Sequence, residues 1–478
     1  MIKKEKGYEN IFKLPKGWTQ SRIDEIIDKI SIINKKLKKR NYKPDGKFPV
    51  IDQGKKFIGG FTNKRELIID YNLPVILFGD HTKVLKYIDF NFVAGADGVK
   101  IIKPLEIFLP KIFYYFLQVV QLPDKGYARH FQFLSKSFIY IPPLPEQYRI
   151  VAKIEELFTK LDAGVKLLKK VKKQLKLYRQ SVLKHALEGK LTEEWREAHK
   201  DELEPASILL ERIKEEHKKS IKDKRRKYKK LLILNTSNLP KLPDGWRWIR
   251  LGEITVDIEK INPRDNPEME FIYLDIASID NDQQKITNSK KYLGKNAPSR
   301  ARQLIKANDI LFSTVRTYLI NIAMVDNTFE GQIASTGFCI IRPYNPVNKK
   351  FIFYLVRTDF FLNPLTQIQR GTSYPAVRNS DVLDQFLPLP PLYEQHKIVE
   401  EIEQGFSIAD EIEKVVDKNL KLTERLRQSI LKRAFEGKLV PQDPNDESAS
   451  ILLEKIKKEK VRIEDEKKVR KGNKKKKS

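Results

Sequence analysis

Cysteine is almost absent from this chain of 478 residues, which contains only Cys339. One cysteine excludes an intramolecular disulfide framework and any zinc site built from several thiolates, and it fits a reducing cytoplasm, where we expect the protein to be located. The six histidines show no metal spacing with that cysteine, so we predict no metal site. No apolar run approaches a bilayer-spanning length and the first residues precede no apolar signal core, so we expect no membrane association.

Sequence motifs of catalysis are missing as well. No G-x-x-x-x-G-K-[ST] phosphate loop occurs, since the Gly-Lys pair at 189–190 is followed by leucine, and no G-x-S-x-G elbow is present. Amino-methyltransferases carry Asp or Asn before Pro-Pro, whereas the pairs at 142–143 and 390–391 follow Ile141 and Leu389. We therefore predict no catalytic residue, and an autonomous DNA-modifying enzyme remains the less favoured alternative.

Positive charge is in large excess. The formal net charge is +29 and the isoelectric point is about 9.7, which favours a polyanionic partner, most often nucleic acid. Compositional bias of an AT-rich genome or a thermophile is the competing explanation. Dense basic runs at 218–230 and 467–477 favour a polyanionic partner, although such runs also occur as solvated helix ends or tails.

The chain repeats itself. Residues 142–191 recur as 390–439, with Glu146 matching Glu394 and Gly189 matching Gly437. Three further pairs of segments recur in the same order: 14–18 with 242–246, 114–118 with 353–357, and 206–211 with 449–454. A period this long is no solenoid repeat, so it indicates tandem duplication of a whole module.

Both copies contain a long predicted helix, at 146–188 and 394–436. Proline precedes each helix and glycine follows it, as at helix starts and at left-handed helix ends. Apolar residues recur every three or four positions, which predicts a coiled-coil seam. The simplest partner of each arm is the other arm, antiparallel and with an approximate two-fold axis; packing of each arm on its own module is the alternative. The predicted seam comprises Ile150, Ile154, Leu157, Leu161, Val165, Leu168, Val171, Leu175, Tyr178 and Val182 in the first arm, and Ile398, Ile402, Phe406, Ala409, Ile412, Val416, Leu420, Leu426 and Ile430 in the second.

The intervening modules have the pattern of mixed domains with many short strands. Gly, Pro and Asp bound predicted strands at 48–51, 74–78, 98–102, 309–313 and 338–341. Each module ends in an aromatic-rich helix, at 109–121 and 349–360, whose rings we expect in the core. The predicted fold class is α+β: two mixed α/β domains separated by two long helices that form an antiparallel coiled coil, with a pseudo-two-fold internal repeat.

Several motifs carry a family resemblance. The arms begin with P-L-P-E-Q and P-L-Y-E-Q, and both end with E-G-K-L. The second arm is followed by P-Q-D-P-N-D-E-S-A-S-I-L-L-E-K-I, and each module begins with L-P-x-G-W. The chain thereby resembles the DNA specificity (S) subunit of type I restriction–modification enzymes. The phrase at 371–377, together with those at 79–82, 95–98 and 335–338, is similar to signatures of that family's target-recognition domains.

The resemblance implies a non-catalytic subunit whose two target-recognition domains each read half of a bipartite double-stranded DNA motif. The helices would set the spacer and dock two methyltransferase (M) subunits, and restriction (R) subunits would complete the complex. S-adenosylmethionine, ATP and magnesium would then bind those partners, with no cofactor on this chain. A coiled-coil scaffold without specific DNA reading is the main alternative. The implied organisation is 1–142 first target-recognition domain, 143–235 first helical region with a shorter helix at 205–230, 236–390 second target-recognition domain, 391–465 second helical region with a shorter helix at 448–463, and 466–478 basic tail.

Base-reading candidates are polar or basic residues in loops flanked by glycine. Arginine pairs with guanine through two hydrogen bonds, and glutamine pairs with adenine. For each residue, surface charge or a loop-stabilising hydrogen bond is an equally good explanation. The candidates are Gln53, Lys55, Lys56, His81, Thr82, Lys83, Arg129 and His130 in the first module, and Arg300, Arg302, Arg316, Thr317, Arg370, Thr372, Ser373, Tyr374 and Arg378 in the second.

Overall fold

A computed structural model describes residues 14–32, 34–69, 73–95, 98–123, 126, 128–222, 239–459 and 462. Residues 96–97 of one family signature, the basic run from 223 onward, the end of the predicted helix at 205–230, and the basic tail lie outside these residues. The chain divides into a first unit, Met1–Lys169 with Asp417–Ser478, and a second unit, Lys170–Val416. Within the described part of the chain, no helix has the length and apolarity to cross a membrane, and no cluster of acidic, histidine or cysteine side chains could hold a metal ion.

The described residues of the first unit form three sheets. Strands β1 and β11 pair antiparallel, a four-stranded sheet has the order β2-β10-β7-β8, and a third has the order β3-β9-β4-β5 with β6 also on β9. Strands β4 and β9 run parallel. The strands are β1 Thr19–Arg22, β2 Ile27–Ile30, β3 Lys36–Leu37, β4 Phe48–Ile51, β5 Gly60–Thr62, β6 Ile68–Ile69, β7 Val75–Gly79, β8 Leu85–Ile88, β9 Phe92–Gly95, β10 Val99–Pro104 and β11 Phe138–Ile141.

Two short helices and the first long helix follow these sheets. Helix α1, Pro110–Leu117, begins with proline at its first position, where no backbone donor is needed. Helices α2, Phe131–Lys136, and α3, Leu144–Leu187, come next. The rings of α1 face the core beside Ile150 and Ile154 of α3. The predicted aromatic-rich helix at 109–121 and its core role are therefore confirmed, with a shorter helix than expected.

The second unit repeats this plan. Its four-stranded sheet has the order β16-β13-β20-β17 with a parallel β13–β20 pair, and smaller sheets are β12-β22, β14-β15 and β19-β18-β21. The strands are β12 Arg247–Arg250, β13 Glu270–Leu274, β14 Ile279–Asp280, β15 Lys285–Ile286, β16 Lys290–Leu293, β17 Ala301–Leu304, β18 Ile310–Ser313, β19 Ile322–Met324, β20 Ile333–Ser335, β21 Phe338–Ile341 and β22 Phe386–Leu389. The helices are α4 Glu193–Ala198, α5 Ala206–Lys222, α6 Lys349–Leu355, α7 Asp359–Gln367, α8 Asn379–Leu383 and α9 Leu392–Phe435, whose residues after Val416 belong to the first unit. Residues 449–459 of the first unit are also helical.

Equivalent residues frame the two modules. Thr19 pairs with Ile141 in the first unit, and Arg247 pairs with Leu389 in the second, so each module is closed by its first and last strands. This geometry confirms the mixed fold and the internal repeat. The long helices start and end within two residues of the predicted positions.

Each long helix ends at a glycine in the left-handed conformation. Gly189 has φ +70° and Gly437 has φ +67°. A Cβ on Gly189 would lie 2.6 Å from Pro243, and one on Gly437 would lie 2.4 Å from Pro15. Both the backbone conformation and the close approach therefore require glycine.

The arms combine both predicted modes of packing. Ile398 and Ile402 at the start of α9 lie in the core of the second module. Farther along the same unit, Arg179 contacts Asp410 at 2.6 Å and Lys172 contacts Glu413 at 3.5 Å. Later residues of α3 thus meet earlier residues of α9, which is an antiparallel arrangement.

Two predicted seam positions are wrong, since Ile412 and Leu426 are 41% and 42% exposed. Tyr178 is 44% exposed but stays at the seam, because a Cβ on Gly405 of α9 would lie 2.9 Å from its hydroxyl. Near Leu426 the buried position belongs to Thr423, whose hydroxyl donates to the carbonyl of Asn419 at 2.9 Å. The buried positions of α9 repeat every seven residues, at Ile402, Ala409, Val416 and Thr423, so the seam passes through a polar residue that a search for apolar spacing overlooks.

Candidate nucleic-acid interface

A buried Glu-Gln pair fixes each arm to its module. In the first unit, Trp18 Nε1 donates to Glu146 Oε2 at 2.9 Å, and Gln147 accepts from Leu109 N at 2.9 Å. The second unit repeats these bonds, from Trp246 Nε1 to Glu394 Oε2 at 2.7 Å and from Asn348 N to Gln395 at 3.0 Å. The glutamine thus binds the residue that precedes α1 or α6, so the module's terminal helix is oriented by the arm.

The two glutamates differ in their surroundings. Glu394 Oε1 accepts from Thr192 at 2.8 Å and from Arg196 at 2.7 Å. Glu146 Oε1 is buried without a hydrogen-bond partner among the described residues, and burial raises the pKa of this carboxyl despite the bond from Trp18. In the first unit, therefore, the buried glutamate receives no hydrogen bond from an arginine among the described residues, whereas in the second unit Glu394 receives one from Arg196.

The segment after each arm docks on the opening of a module. In the second unit Ala206 N donates to Gly245 O at 2.9 Å, and in the first unit Ala449 N donates to Gly17 O at 2.9 Å. These contacts join the repeated A-S-I-L-L-E segment to the repeated L-P-x-G-W segment. Both repeats therefore have a structural role in holding each module.

Three loops meet at one end of the first module. Thr82 Oγ1 donates to Gln53 O at 2.8 Å and His81 N donates to Gln53 Oε1 at 3.3 Å, which joins the loop after β4 to the loop after β7. Asp80 N donates to Gly98 O at 2.6 Å, which adds the turn before β10. Gln53, His81 and Thr82 are thus brought together as one cluster.

The remaining candidates of this module differ in accessibility. Lys55, Lys56 and Arg129 are exposed, and Lys83 is half-buried with Nζ 3.4 Å from Pro123 O. His130 is fully buried, with Nδ1 3.1 Å from Asp80 O. Its side chain does not reach the surface where a base would lie, and its position explains how the α2 segment is held against the loop after β7.

Lys86 is a functional candidate that the loop pattern did not identify. Its side chain is 3% exposed, and Nζ donates to the carbonyls of Asp52, Lys56 and Phe57 at 2.7, 2.6 and 3.1 Å. Burial lowers the pKa of Lys86, and the Asp52 carboxylate opposes that shift. Lys86 occupies an inward-facing position of a strand, so a search for loop residues flanked by glycine did not include it. Its hydrogen bonds to three carbonyls fix the shape of the loop at 52–57.

The second module repeats the cluster. Thr314 N donates to Gly337 O at 3.0 Å, and Thr336 N donates to Arg300 O at 2.9 Å. Arg316 N donates to Pro375 O at 2.7 Å, and its Nη2 donates to Ser373 O at 2.9 Å. Arg300, Arg316 and Ser373 therefore belong to adjoining loops.

Exposed and buried candidates are clearly separated in this module. Arg300, Arg370, Thr372, Ser373 and Arg378 are exposed. Tyr374 is 71% exposed, and the Arg316 guanidinium lies 4.8 Å from its ring centroid. Arg302 is half-buried and donates to Ala301 O at 3.1 Å. Thr317 is buried and bonded to Thr366 at 3.1 Å, so it supports the loop from inside.

Unusual backbone conformations occur in the same loop. Arg316 and Ile320 both adopt left-handed φ values, +50° and +52°, which are unfavourable for residues with a side chain and most so for a β-branched one. Tyr318 between them is 52% exposed. Strained, exposed loop residues cluster at functional sites, so Tyr318 joins the candidates that the sequence pattern missed.

Comparison with known proteins assigns the family. The family model described as type I restriction modification DNA specificity domain matches residues 15–177 and 243–423. The EcoDI specificity subunit of Escherichia coli is 30% identical over 336 residues, 68% of this chain and 69% of that protein. The StySPI specificity subunit of Salmonella potsdam is 25% identical across 94% of this chain and 96% of its own. A solved HsdS subunit from Thermoanaerobacter tengcongensis is 44% identical over 40% of this chain and 49% of its own, with a TM-score of 0.37. The chain belongs to the type I restriction modification DNA specificity family.

Proposed function

We propose that this chain is the sequence-specific DNA-recognition subunit of a type I restriction–modification complex. Each module reads one half of a bipartite double-stranded DNA motif through its cluster of loops. The observation that carries the proposal is the double match to the DNA specificity domain, each copy coinciding with one such cluster. The protein directs partner enzymes to DNA and has no catalytic residue of its own.

Recognition divides between positioning and reading. The net charge of +29 supplies attraction to phosphates, which orients a module without selecting sequence. Exposed Arg370 and Arg378 of the second module and Arg129 of the first suit bidentate contacts with guanine in the major groove. Tyr374 suits an apolar contact with a base edge because its ring is held against Arg316.

The arms supply a docking face for methyltransferase subunits. In the second unit Ile408, Ile412 and Val415 of α9 are 55%, 41% and 57% exposed at spacings of four and three, the pattern of one helix face. In the first unit Leu422 and Leu426 show the same spacing. Exposed apolar stripes of this kind suit a partner helix.

Two M subunits and additional R subunits complete the proposed complex, with S-adenosylmethionine, ATP and magnesium bound by those partners. The arms fix the spacer between half-sites, as dimer geometry fixes half-site separation in simpler DNA-binding proteins. The site of action is the cytoplasm.

Co-expression with a cognate M subunit tests the proposal. Sequencing of methylated adenines should reveal a bipartite motif that M alone does not produce. Methylation unchanged from M alone would contradict recognition by this chain, and DNA modification by the purified chain alone would favour an autonomous enzyme.

Ile412→Lys should reduce co-purification of M, whereas Glu411→Lys, at an exposed neighbouring position, is the matched control. Equal loss in both variants would argue for an electrostatic effect in place of apolar docking.

A further inference from the structure

A cavity of about 680 Å³ opens in the second unit between the last turns of α3 and the start of α7. Its walls include Leu183, Leu187, Trp248 and Phe360. The rings of Trp248 and Phe360 are stacked, with centroids 5.4 Å apart and planes 28° apart. A concave, largely apolar space of this volume is typical of sites for small molecules, whereas protein interfaces are broader and flatter.

Arg357 lines this cavity without a carboxylate partner. Its guanidinium lies over the rings of Phe353 and Tyr354, 4.8 and 5.7 Å from their centroids. In the part of the chain that the structure describes, no hydrogen bond or ion pair engages it. Burial lowers the pKa of Arg357 to about 10, and the nearby Arg179 acts in the same direction. A half-buried cation without a counter-ion among the described residues is unfavourable, so an anion entering the cavity would be stabilised.

The start of α7 adds a second source of positive potential. Thr358, the residue that caps this helix, lines the cavity and accepts from Phe361 N at 3.4 Å. First-turn amides of a helix lack intrahelical acceptors and form its positive end. Asp359 in the first turn of α7 and Glu188 oppose this potential, but the lining carries more cations than carboxylates: Lys184, Lys190, Lys241 and Arg357.

The arginine of this site is not repeated in the first module. In the aligned repeats Arg357 corresponds to Gln118, a neutral residue. The shared architecture therefore does not require an arginine there, and its presence calls for a role particular to the second unit.

We propose that this cavity binds a small anionic ligand with a planar apolar body, such as an aromatic carboxylate or an aryl phosphate. The anion lies on Arg357 and the start of α7, and the planar body lies against Trp248. The proposal is independent of DNA recognition.

Titration of the full-length chain with 8-anilinonaphthalene-1-sulfonate, an aromatic sulfonate, tests the proposal by probe fluorescence. N-phenyl-1-naphthylamine, which has a similar ring system without the charge, is the parallel probe. Arg357→Met should weaken binding of the sulfonate by at least about tenfold, because a desolvated charge-assisted bond is lost, and should change binding of the neutral probe by less than about twofold. Energy transfer from tryptophan should accompany sulfonate binding.

Two further variants control the result. Lys241→Met, at the exposed rim, should weaken sulfonate binding by less than about threefold. Ser181→Trp, also at the rim, should obstruct the cavity and reduce binding of both probes. Sulfonate binding by Arg357→Met equal to that of the wild type would overturn the proposal, as would equal loss of both probes or undiminished binding by Ser181→Trp. Arg357→Lys, which keeps the charge but loses the fork of donors, should give an intermediate affinity if the methionine variant does not fold.

Discussion

The two buried glutamates at the starts of the arms provide a matched test of how each module is held. Glu394→Gln removes the charge that faces Arg196, a guanidinium only 12% exposed and 2.7 Å from Glu394 Oε1. Removing one partner of a buried ion pair costs about 3–5 kcal/mol. Arg196 also donates to Gly189 O at 3.0 Å, and glutamine keeps an acceptor for Trp246, so we expect a loss at the lower end, about 2–4 kcal/mol.

Glu146→Gln should behave differently. The cation that acts on Glu146 is Arg149, which is partly exposed and paired with Asp446 at 2.6 Å, and Glu146 Oε1 has no hydrogen-bond partner among the described residues. Glutamine keeps the acceptor for Trp18 and removes a buried charge, so the stability of the first unit should change by less than about 1 kcal/mol in either direction.

Hydrogen exchange of the full-length chain, read by mass spectrometry, measures both effects. A loss of about 3 kcal/mol corresponds to roughly a hundredfold fall in amide protection if these amides exchange by opening of the unit. That fall should appear at β12 and β22 in Glu394→Gln, while β1 and β11 of Glu146→Gln stay near the wild type. Equal losses in the two variants, or a larger loss in Glu146→Gln, would refute the assigned roles of Arg196 and of the partnerless oxygen.

Three other predictions follow from individual side chains. Because the folded pKa of Glu146 is raised, the wild-type first unit should lose stability relative to Glu146→Gln as pH rises from the ordinary glutamate pKa of about 4.3 through the raised value, with no further difference above it; urea unfolding across that range measures this. Lys86→Met should destabilise the loop at 52–57 by about 2 kcal/mol and relax only the half-site read by the first module, which methylation mapping would show; relaxation of both halves would contradict a local role. The Cys339 thiol, which is buried with a pKa raised to about 12, should resist iodoacetamide until the second unit unfolds, and rapid labelling of the native protein would contradict its burial.

Periodic and duplicated features were predictable because they depend on local spacing and on repeats. The strands at 48–51 and 338–341 occur where the pattern placed them, and the Glu-Gln and glycine brackets mark the ends of both arms. The choice of apolar residues alone misplaced part of the seam, since the seven-residue period of buried positions continues at Thr423 while Ile412 and Leu426 lie on the surface.

The candidate interface was predictable only at the level of loops. Gln53 and Thr82 are distant in sequence and follow strands of different sheets, β4 and β7, yet their loops are joined by a hydrogen bond. Whether a polar residue faces solvent or supports a loop depends on contacts that no local pattern encodes. His130 and Lys86 illustrate both outcomes, since a loop candidate is buried and a strand lysine organises the loop.

Module exchange provides the most direct measurement of the central claim. Residues 14–142 would be replaced by the corresponding module of another specificity subunit with a known motif, and adenine methylation would be mapped with the same M subunit. If each module reads its own half-site, one half of the bipartite motif should change to that of the donor while the other half and the spacer remain. An unchanged motif, or simultaneous alteration of both halves in a folded chimera, would contradict independent reading by the two modules.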